Sequence, residues 1–361
     1  MRIYVATTAH GMGHITRMVP VLGALRELAP EVEIILSSPV TVAWLQSQLG
    51  FAPVGIQRPY EIGVAQHNCF ETDIDGTLVG YRAYAQQHDE QLDAERSFLR
   101  ENQLSGVVVD VPSLPVAAAA DLGLPVVAVS NFTWDWIVEE MFGDLARSEV
   151  EILRQDYSKG GLHLQLPFTP GASPFPQVEP APLLARRAKL TRSEVYERLG
   201  LEKGGRPLVV VSPGGWAATD WPAIEIEAGA AHQYVLVGDL PISAAQARHL
   251  PQDLPDGMTM VDLIHAADVV IAKPGYGIAA ECLQHRTPLV AIERRGLPES
   301  PYLLAEFAAA GQLSRLTLND FFAGRWAAAI EAALTGNASW PDLPDRPDLL
   351  IARRILQVFS R

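Results

Sequence analysis

Short apolar runs alternate with longer stretches of helical period along most of the chain. MRIYVATT (1–8) reads as a strand, a glycine-bearing loop follows at 10–14, and apolar spacing predicts a helix from about Thr16 to Ala29. VEIILSS (32–38) is the next strand. A polar, irregular stretch covers about 55–80, and a long polar helix is predicted near 81–102. GVVVDVP (106–112) is an apolar strand carrying Asp110 at its end, a helix of small residues follows, and PVVAVSN (125–131) is another strand. Val-rich strands separated by helices predict a parallel sheet covered on both faces.

The rhythm breaks at 166–183, where six prolines fall within LPFTPGASPFPQVEPAP. Proline fixes φ and removes a donor, so this stretch predicts neither helix nor central strand and reads as a crossing between units. Beyond it the alternation resumes. PLVVVSP (207–213), HQYVLVG (232–238), MTMVD (258–262), DVVIAKPG (268–275) and TPLVAIE (287–293) are predicted strands. The expectation is an α/β protein with two Rossmann-like units, 1–165 and 184–345, joined by a linker at 166–183. A helix at 346–361 is free to pack back on the first unit. Open parallel sheets bind ligands at the carboxyl ends of their strands, so a cleft between the units is the expected site.

Composition narrows the partners. A chain of 361 residues with 48% hydrophobic content can fill two cores. Its formal charge of −14, with no basic block, opposes nucleic-acid binding and steady adsorption on an anionic membrane. Cys69 and Cys282 have no metal-like spacing and read as reduced. The opening residues lack the pattern of a signal peptide and no apolar run is long enough to span a bilayer, so the cytoplasm is expected.

Several loops at strand ends can carry chemistry. In HGMGHITR (10–17), Gly11 and Gly13 permit a sharp turn, and His14 falls at a helix N-terminus whose dipole favours the neutral imidazole of a general base. Asp110 either caps the following helix or orients an imidazole, and pattern alone leaves both open. SPGGWAATD (212–220) and AKPGYGIAAE (272–281) each run from a strand through a glycine loop towards a helix, a seat for phosphate. Lys273 is either an ion-pair partner or a phosphate ligand. ERRGLPESPYLL (293–304) is a solvated loop or a third wall of the same site, and NFTWDW (131–136) supplies either buried aromatics or a sugar-stacking platform.

Together HGMGHITR, VVVDVPSLPVAAAADLG, SNFTWDW, PLLARR, GGW, KPGYGIAAE and RRGLPESPYL resemble the GT-B glycosyltransferases. The resemblance is to UDP-sugar enzymes such as the bacterial peptidoglycan-precursor N-acetylglucosaminyltransferase and the small-molecule UDP-glycosyltransferases. More specifically it is to the glycosyltransferase-like N-terminal region of plant L-arabinokinases, over residues 10 to about 303. It implies two Rossmann-like domains facing across a cleft, the first binding a small-molecule or glycan acceptor and the second a nucleotide sugar, with UDP as the expected nucleotide. By this resemblance His14 is the general base and Asp110 orients it. Gly214, Gly215, Gly275 and Gly277 meet the diphosphate, with Gly13 and Tyr276 beside the donor. Arg186 or Arg187 helps as a cation, Arg187 being placed among the donor ligands. Glu281 binds ribose hydroxyls, Met260 lies beside the base, and Glu299 and Ser300 hold the sugar. His10, Asn131 and Trp134 face the acceptor.

The pattern departs from the family where proline usually follows the His by three residues, since Arg17 stands there. It departs again where a glutamine pair is replaced by Glu299–Ser300. The second half has no E-x7-E pair, which favours inversion. Neither DxD nor a His-rich metal pattern occurs, so no metal and no cofactor is expected, the nucleotide sugar being a substrate. Two alternatives share this architecture: a nucleotide-sugar 2-epimerase and a non-catalytic nucleotide-sugar-binding protein. A dinucleotide-dependent oxidoreductase is disfavoured by the absence of GxGxxG after either leading strand.

Overall fold

The computed structural model describes residues 1–361 apart from 9, 59, 61–62, 170, 215–220, 227–230, 245–246, 338 and 361. The first half is built on seven strands: β1 (Arg2–Thr7), β2 (Glu33–Ser37), β3 (Val54–Ile56), β4 (Gly106–Asp110), β5 (Val126–Ser130), β6 (Leu162–Gln165) and β7 (Gln177–Pro180). They form one parallel sheet in the order β3-β2-β1-β4-β5-β6-β7. Its helices are α1 (Gly13–Leu28), α2 (Val42–Leu49), α3 (Ile74–Glu101), α4 (Leu114–Asp121), α5 (Trp134–Phe142) and α6 (Arg147–Ser158).

The strand period of two divides the core. Ile3 and Val5 face Ile15, Met18 and Leu22 of α1, whereas Tyr4, Val107 and Val109 join Tyr81 of α3 and the small residues of α4. Both faces are covered, which is why the central strands are continuously apolar.

The second half adds β8 (Leu208–Ser212), β9 (Ile224–Glu225), β10 (Gln233–Val237), β11 (Ile242–Ser243), β12 (Ala247–Leu250), β13 (Val269–Ala272), β14 (Leu289–Ile292) and β15 (Leu313–Leu316). Six of these make a parallel sheet in the order β12-β10-β8-β13-β14-β15, with β9 and β11 paired apart. Its helices are α7 (Arg192–Leu199), α8 (Met260–Ala266), α9 (Tyr276–His285), α10 (Glu299–Ala310), α11 (Leu318–Phe322) and α12 (Ala327–Thr335). A last helix, α13 (Pro347–Phe359), returns to the first half and buries Ile351, Ala352 and Ile355 in the α1-side core.

Three elements differ from the sequence reading. Residues 258–262 do not form a strand. Thr259 and Asp262 make a reciprocal capping box that starts α8, and Met260 is its first residue. The helix expected from about 81 begins at Ile74, because the Asp73 carboxylate accepts from the Gly76 amide and caps it there. Within the proline-rich stretch, 177–180 forms β7. It lies at the sheet edge, where proline removes no needed ladder bond.

The halves are joined by more than the chain crossing. A first-half loop carries Phe70 into the second half, where its ring stacks on Trp221 and meets Phe321 and Phe322. Main-chain bonds fix it: Arg295 N–H donates to the Phe70 carbonyl at 2.8 Å and Thr72 N–H to the Arg295 carbonyl at 3.3 Å. Among the described residues no helix is long and apolar enough to cross a membrane.

Candidate functional site

The first cluster stands at the carboxyl edge of the first sheet. β1 and β4 pair with Thr7 opposite Asp110, so the loop leaving β1 begins beside the carboxylate that ends β4. His14 and Arg17, three residues apart, share one face at the start of α1. His14 Nδ1 lies 3.2 Å from Asp110 Oδ1. Arg17 binds the same carboxylate more tightly, donating from Nε to Oδ2 at 2.6 Å and from Nη2 to Oδ1 at 2.6 Å. Its Nη2 also lies 2.7 Å from His14 Nδ1, and Nη1 donates to Asn131 Oδ1. Asn131 donates onward to the Pro167 carbonyl at 2.5 Å.

All three charged or titratable groups are buried, Asp110 completely. Burial pushes the His14 imidazole below its ordinary value; Asp110 opposes this and Arg17 reinforces it. Burial acts to raise Asp110, but Arg17 and then His14 hold its carboxyl below the usual carboxylate range. Immediately after Asp110, Val111 adopts φ 86, a conformation that costs a β-branched residue energy. The Tyr157 hydroxyl donates to the Val111 carbonyl at 2.6 Å and holds the turn.

His10 and Trp134 enclose this cluster. The Val64 amide donates to His10 Nδ1 at 3.3 Å. Gly63, at φ 70, fits against the ring where a Cβ would stand 2.7 Å from the His10 Cβ. Burial, followed by the charges of His14, Arg294 and Lys273, lowers the His10 pKa to about 3. The buried Trp134 ring lies 5.7 Å from His10 and 6.2 Å from His14, and its indole N–H has no hydrogen-bond partner among the described residues.

The second cluster belongs to the loops after β8, β13 and β14. Gly214, at φ 116, leaves room for Lys273: a Cβ there would stand 2.8 Å from the lysine Cε. Among the described residues no side chain bonds or ion-pairs with the Lys273 ammonium, although the Glu299 charge acts on it. Burial, then the Arg294 charge, lowers its pKa to about 8. Arg294 is itself buried and pushed down by desolvation, with Glu299 Oε1 at 3.6 Å. Burial raises the Glu299 carboxyl, against the pull of Arg294, Arg17 and Lys273. Arg295, its neighbour in the sequence, is exposed and pairs with Glu293.

Gly275 caps α9, and Tyr276 and Gly277 are its first residues. The Tyr276 ring meets Phe132 at 5.7 Å across the halves, and the Arg17 charge acts on both Tyr276 and Glu299. Tyr276 OH and Ser300 Oγ are buried without partners among the described residues. Glu281 accepts from Arg186 Nε at 2.6 Å. Arg187, named from sequence as the donor ligand, instead donates to the Asp345 carbonyl and is about half exposed. Met260 lies at the start of α8, half-buried, and Gly215 falls outside the described residues.

A cavity of about 870 Å³ adjoins this cluster, lined by Ile74 and Glu140 of the first half and by Arg294, Ser300, Arg315 and Thr317 of the second. Its lining includes neither His14 nor Asp110. Among the described residues, no three His, Cys, Asp or Glu side chains gather to hold a metal ion.

Sequence reasoning missed the role of Arg17, which it registered only as a departure from a family pattern. The available signal was its spacing of three from His14 on a helix beginning beside a strand-end acid.

No family model matches the chain. L-arabinokinase of Arabidopsis thaliana is 28% identical over 338 residues, 91% of this chain and 32% of that protein. The chain thus spans about a third of the length of that curated relative. Among solved structures, the calicheamicin glycosyltransferase CalG4 superposes with a TM-score of 0.60 at 14% identity, covering 100% of this chain and 98% of that one. The spinosyn rhamnosyltransferase SpnG, complexed with thymidine diphosphate, gives 0.57 at 17% identity, covering 100% and 96%. With two parallel sheets opposed through their strand-end loops, and with these likenesses along its whole length, the chain has the GT-B fold.

Proposed function

We propose that the protein is a glycosyltransferase that takes a sugar from a nucleoside-diphosphate donor, UDP-linked by first choice, and passes it with inversion to an acceptor held by the first half. The observation that carries this reading is the opposition of two clusters within a GT-B fold. A histidine beside an ionised carboxylate stands at one sheet edge, and at the other stands a lysine with no ion-pair partner among the described residues, beside a buried arginine side chain.

In such a transfer the acceptor oxygen attacks the anomeric carbon, and the bond from that carbon to the diphosphate breaks with its electrons going to the phosphate oxygen. Lys273, Arg294 and the first amides of α9 can take up the charge that develops there, a task a divalent cation performs elsewhere. Polar atoms on both sides that lack partners among the described residues, Trp134 Nε1, Tyr276 OH and Ser300 Oγ, offer bonds to a polar ligand. His14 is the group nearest in kind to a base for the acceptor proton. That duty needs a lone pair on Nε2, with Nδ1–H directed at Asp110.

Arg17 competes for that same nitrogen, and this favours a second reading: nucleotide-sugar binding without transfer. A panel of nucleoside diphosphates and their sugars, scanned by thermal shift, tests both readings. A ligand at about 100 times its dissociation constant stabilises by about 2.7 kcal/mol. Donor binding followed by turnover that falls about 10²–10⁴-fold in His14→Ala supports transfer. Binding with no product over a broad acceptor set supports the second reading, and no binding to any nucleotide sinks both.

A further inference from the structure

We infer that Arg17 fixes the tautomer of His14, so that the imidazole presents Nε2–H, and not a lone pair, to whatever enters the cleft. The argument is one of donors and acceptors. A guanidinium has five N–H groups and no acceptor, and it keeps its proton at every relevant pH. Its Nη2 stands 2.7 Å from His14 Nδ1, closer than the carboxylate oxygen at 3.2 Å. A hydrogen on Nδ1 would therefore point into another hydrogen donor, whereas a lone pair there completes a bond.

The carboxylate does not need the imidazole. Asp110 already receives two bonds from Arg17 at 2.6 Å, one to each oxygen. A neutral imidazole carries one ring proton, and with Nδ1 accepting, that proton sits on Nε2. Protonating both nitrogens would place a second buried cation against the guanidinium. The groups that face His14 are Arg17 from its own helix, Asp110 from β4 and His10 from the preceding loop, with the rings of Phe132 and Trp134.

Arg17 is in this sense a positioning residue. It turns His14 into a donor towards an oxygen lone pair, such as a phosphoryl or sugar oxygen. Proton acceptance at Nε2 requires Arg17 to leave Nδ1, so that the ring proton can move to the Asp110 side. The contacts stand whether or not the chain transfers sugar, so the test below needs no substrate.

The experiment is nitrogen NMR of ¹⁵N-histidine-labelled full-length protein, with the His14 signals assigned by their loss in His14→Gln. The wild type is expected to show Nδ1 as the unprotonated, pyridine-like nitrogen and Nε2 as the protonated one. Its titration midpoint should lie below that of an ordinary histidine. In Arg17→Met the proton should move to Nδ1, towards Asp110, and the midpoint should rise. Protonated Nδ1 in the wild type overturns the inference, as does an Arg17→Met spectrum identical in tautomer and midpoint. If the variant does not fold, the wild-type spectrum alone decides.

Discussion

The two faces of the cleft handle buried charge in opposite ways. On the first, Arg17 and Asp110 neutralise one another through two short bonds, and Asn131 and His14 occupy further guanidinium positions. On the second, Lys273 makes no close ion pair among the described residues, and it and Arg294 share the field of one carboxylate, Glu299, whose own ionisation is opposed by burial. An ion pair satisfied internally contributes order to a site but has little left to offer a ligand. An unsatisfied cation costs stability in the free protein and recovers it when an anion arrives. On this contrast we propose positioning for the first face and anion binding for the second.

The largest expected effect breaks the first face. Arg17→Met strips Asp110 of both guanidinium bonds and leaves it buried with only His14 beside it, and should destabilise the protein by about 3–5 kcal/mol in urea unfolding. Adding Asp110→Asn should recover much of that loss. Two additive losses in the double variant would mean the pair does not act as a unit.

Lys273→Met should do the reverse. The lysine pKa is lowered from 10.5 to about 8, so the unfolded chain takes up the proton first as pH falls. The resulting penalty is absent above about pH 10.5, grows as pH falls through that window, and is complete below about 8. The variant should therefore be more stable at pH 7 by about 3 kcal/mol and nearly equal to wild type near pH 10.5. It should also bind nucleoside diphosphates more weakly. Destabilisation at pH 7 would contradict the account of an uncompensated cation.

His10 gives a smaller, acid-side signature. Its folded pKa is about 3 against an ordinary 6.5, so it contributes stability above 6.5 that is lost progressively as pH falls towards 3. Between pH 6.5 and 5.5 the loss should be about 1 kcal/mol, and His10→Gln should flatten that part of a melting-temperature profile. The smallest effect is expected at Arg187. Half-exposed and turned to Asp345, it should tolerate alanine within about 0.5 kcal/mol and leave ligand affinity unchanged.

Much of this arrangement was readable from sequence because it follows local rules. The Val-rich runs at 106–112, 125–131 and 207–213 specify parallel strands, and the glycine loops at 10–14 and 272–277 mark carboxyl-end turns. His14 and Asp110 were legible as strand-end chemistry, and the structure brings them to 3.2 Å. What failed was what depends on a third partner. MTMVD has the apolar content of a strand, yet the Thr259–Asp262 box decides for helix. Arg186 and Arg187 are indistinguishable by type, and only the packing against α9 shows that the former meets Glu281. Arg17 was visible as an oddity, but its effect on Nδ1 needs three residues from two elements placed to within a few tenths of an ångström.

The aromatic loop around Phe70 has a consequence for traffic. To swing the halves apart, the molecule must pull that ring out from Trp221, Phe321 and Phe322 and break two main-chain bonds. Wetting a phenylalanine alone costs about 2–3 kcal/mol, so this ring by itself disfavours an opened form by about a hundredfold. That clasp adjoins the Lys273–Arg294 cluster, because Cys69 precedes the ring and Arg295 holds it, so any parting of the halves also disturbs the buried cations of the second face.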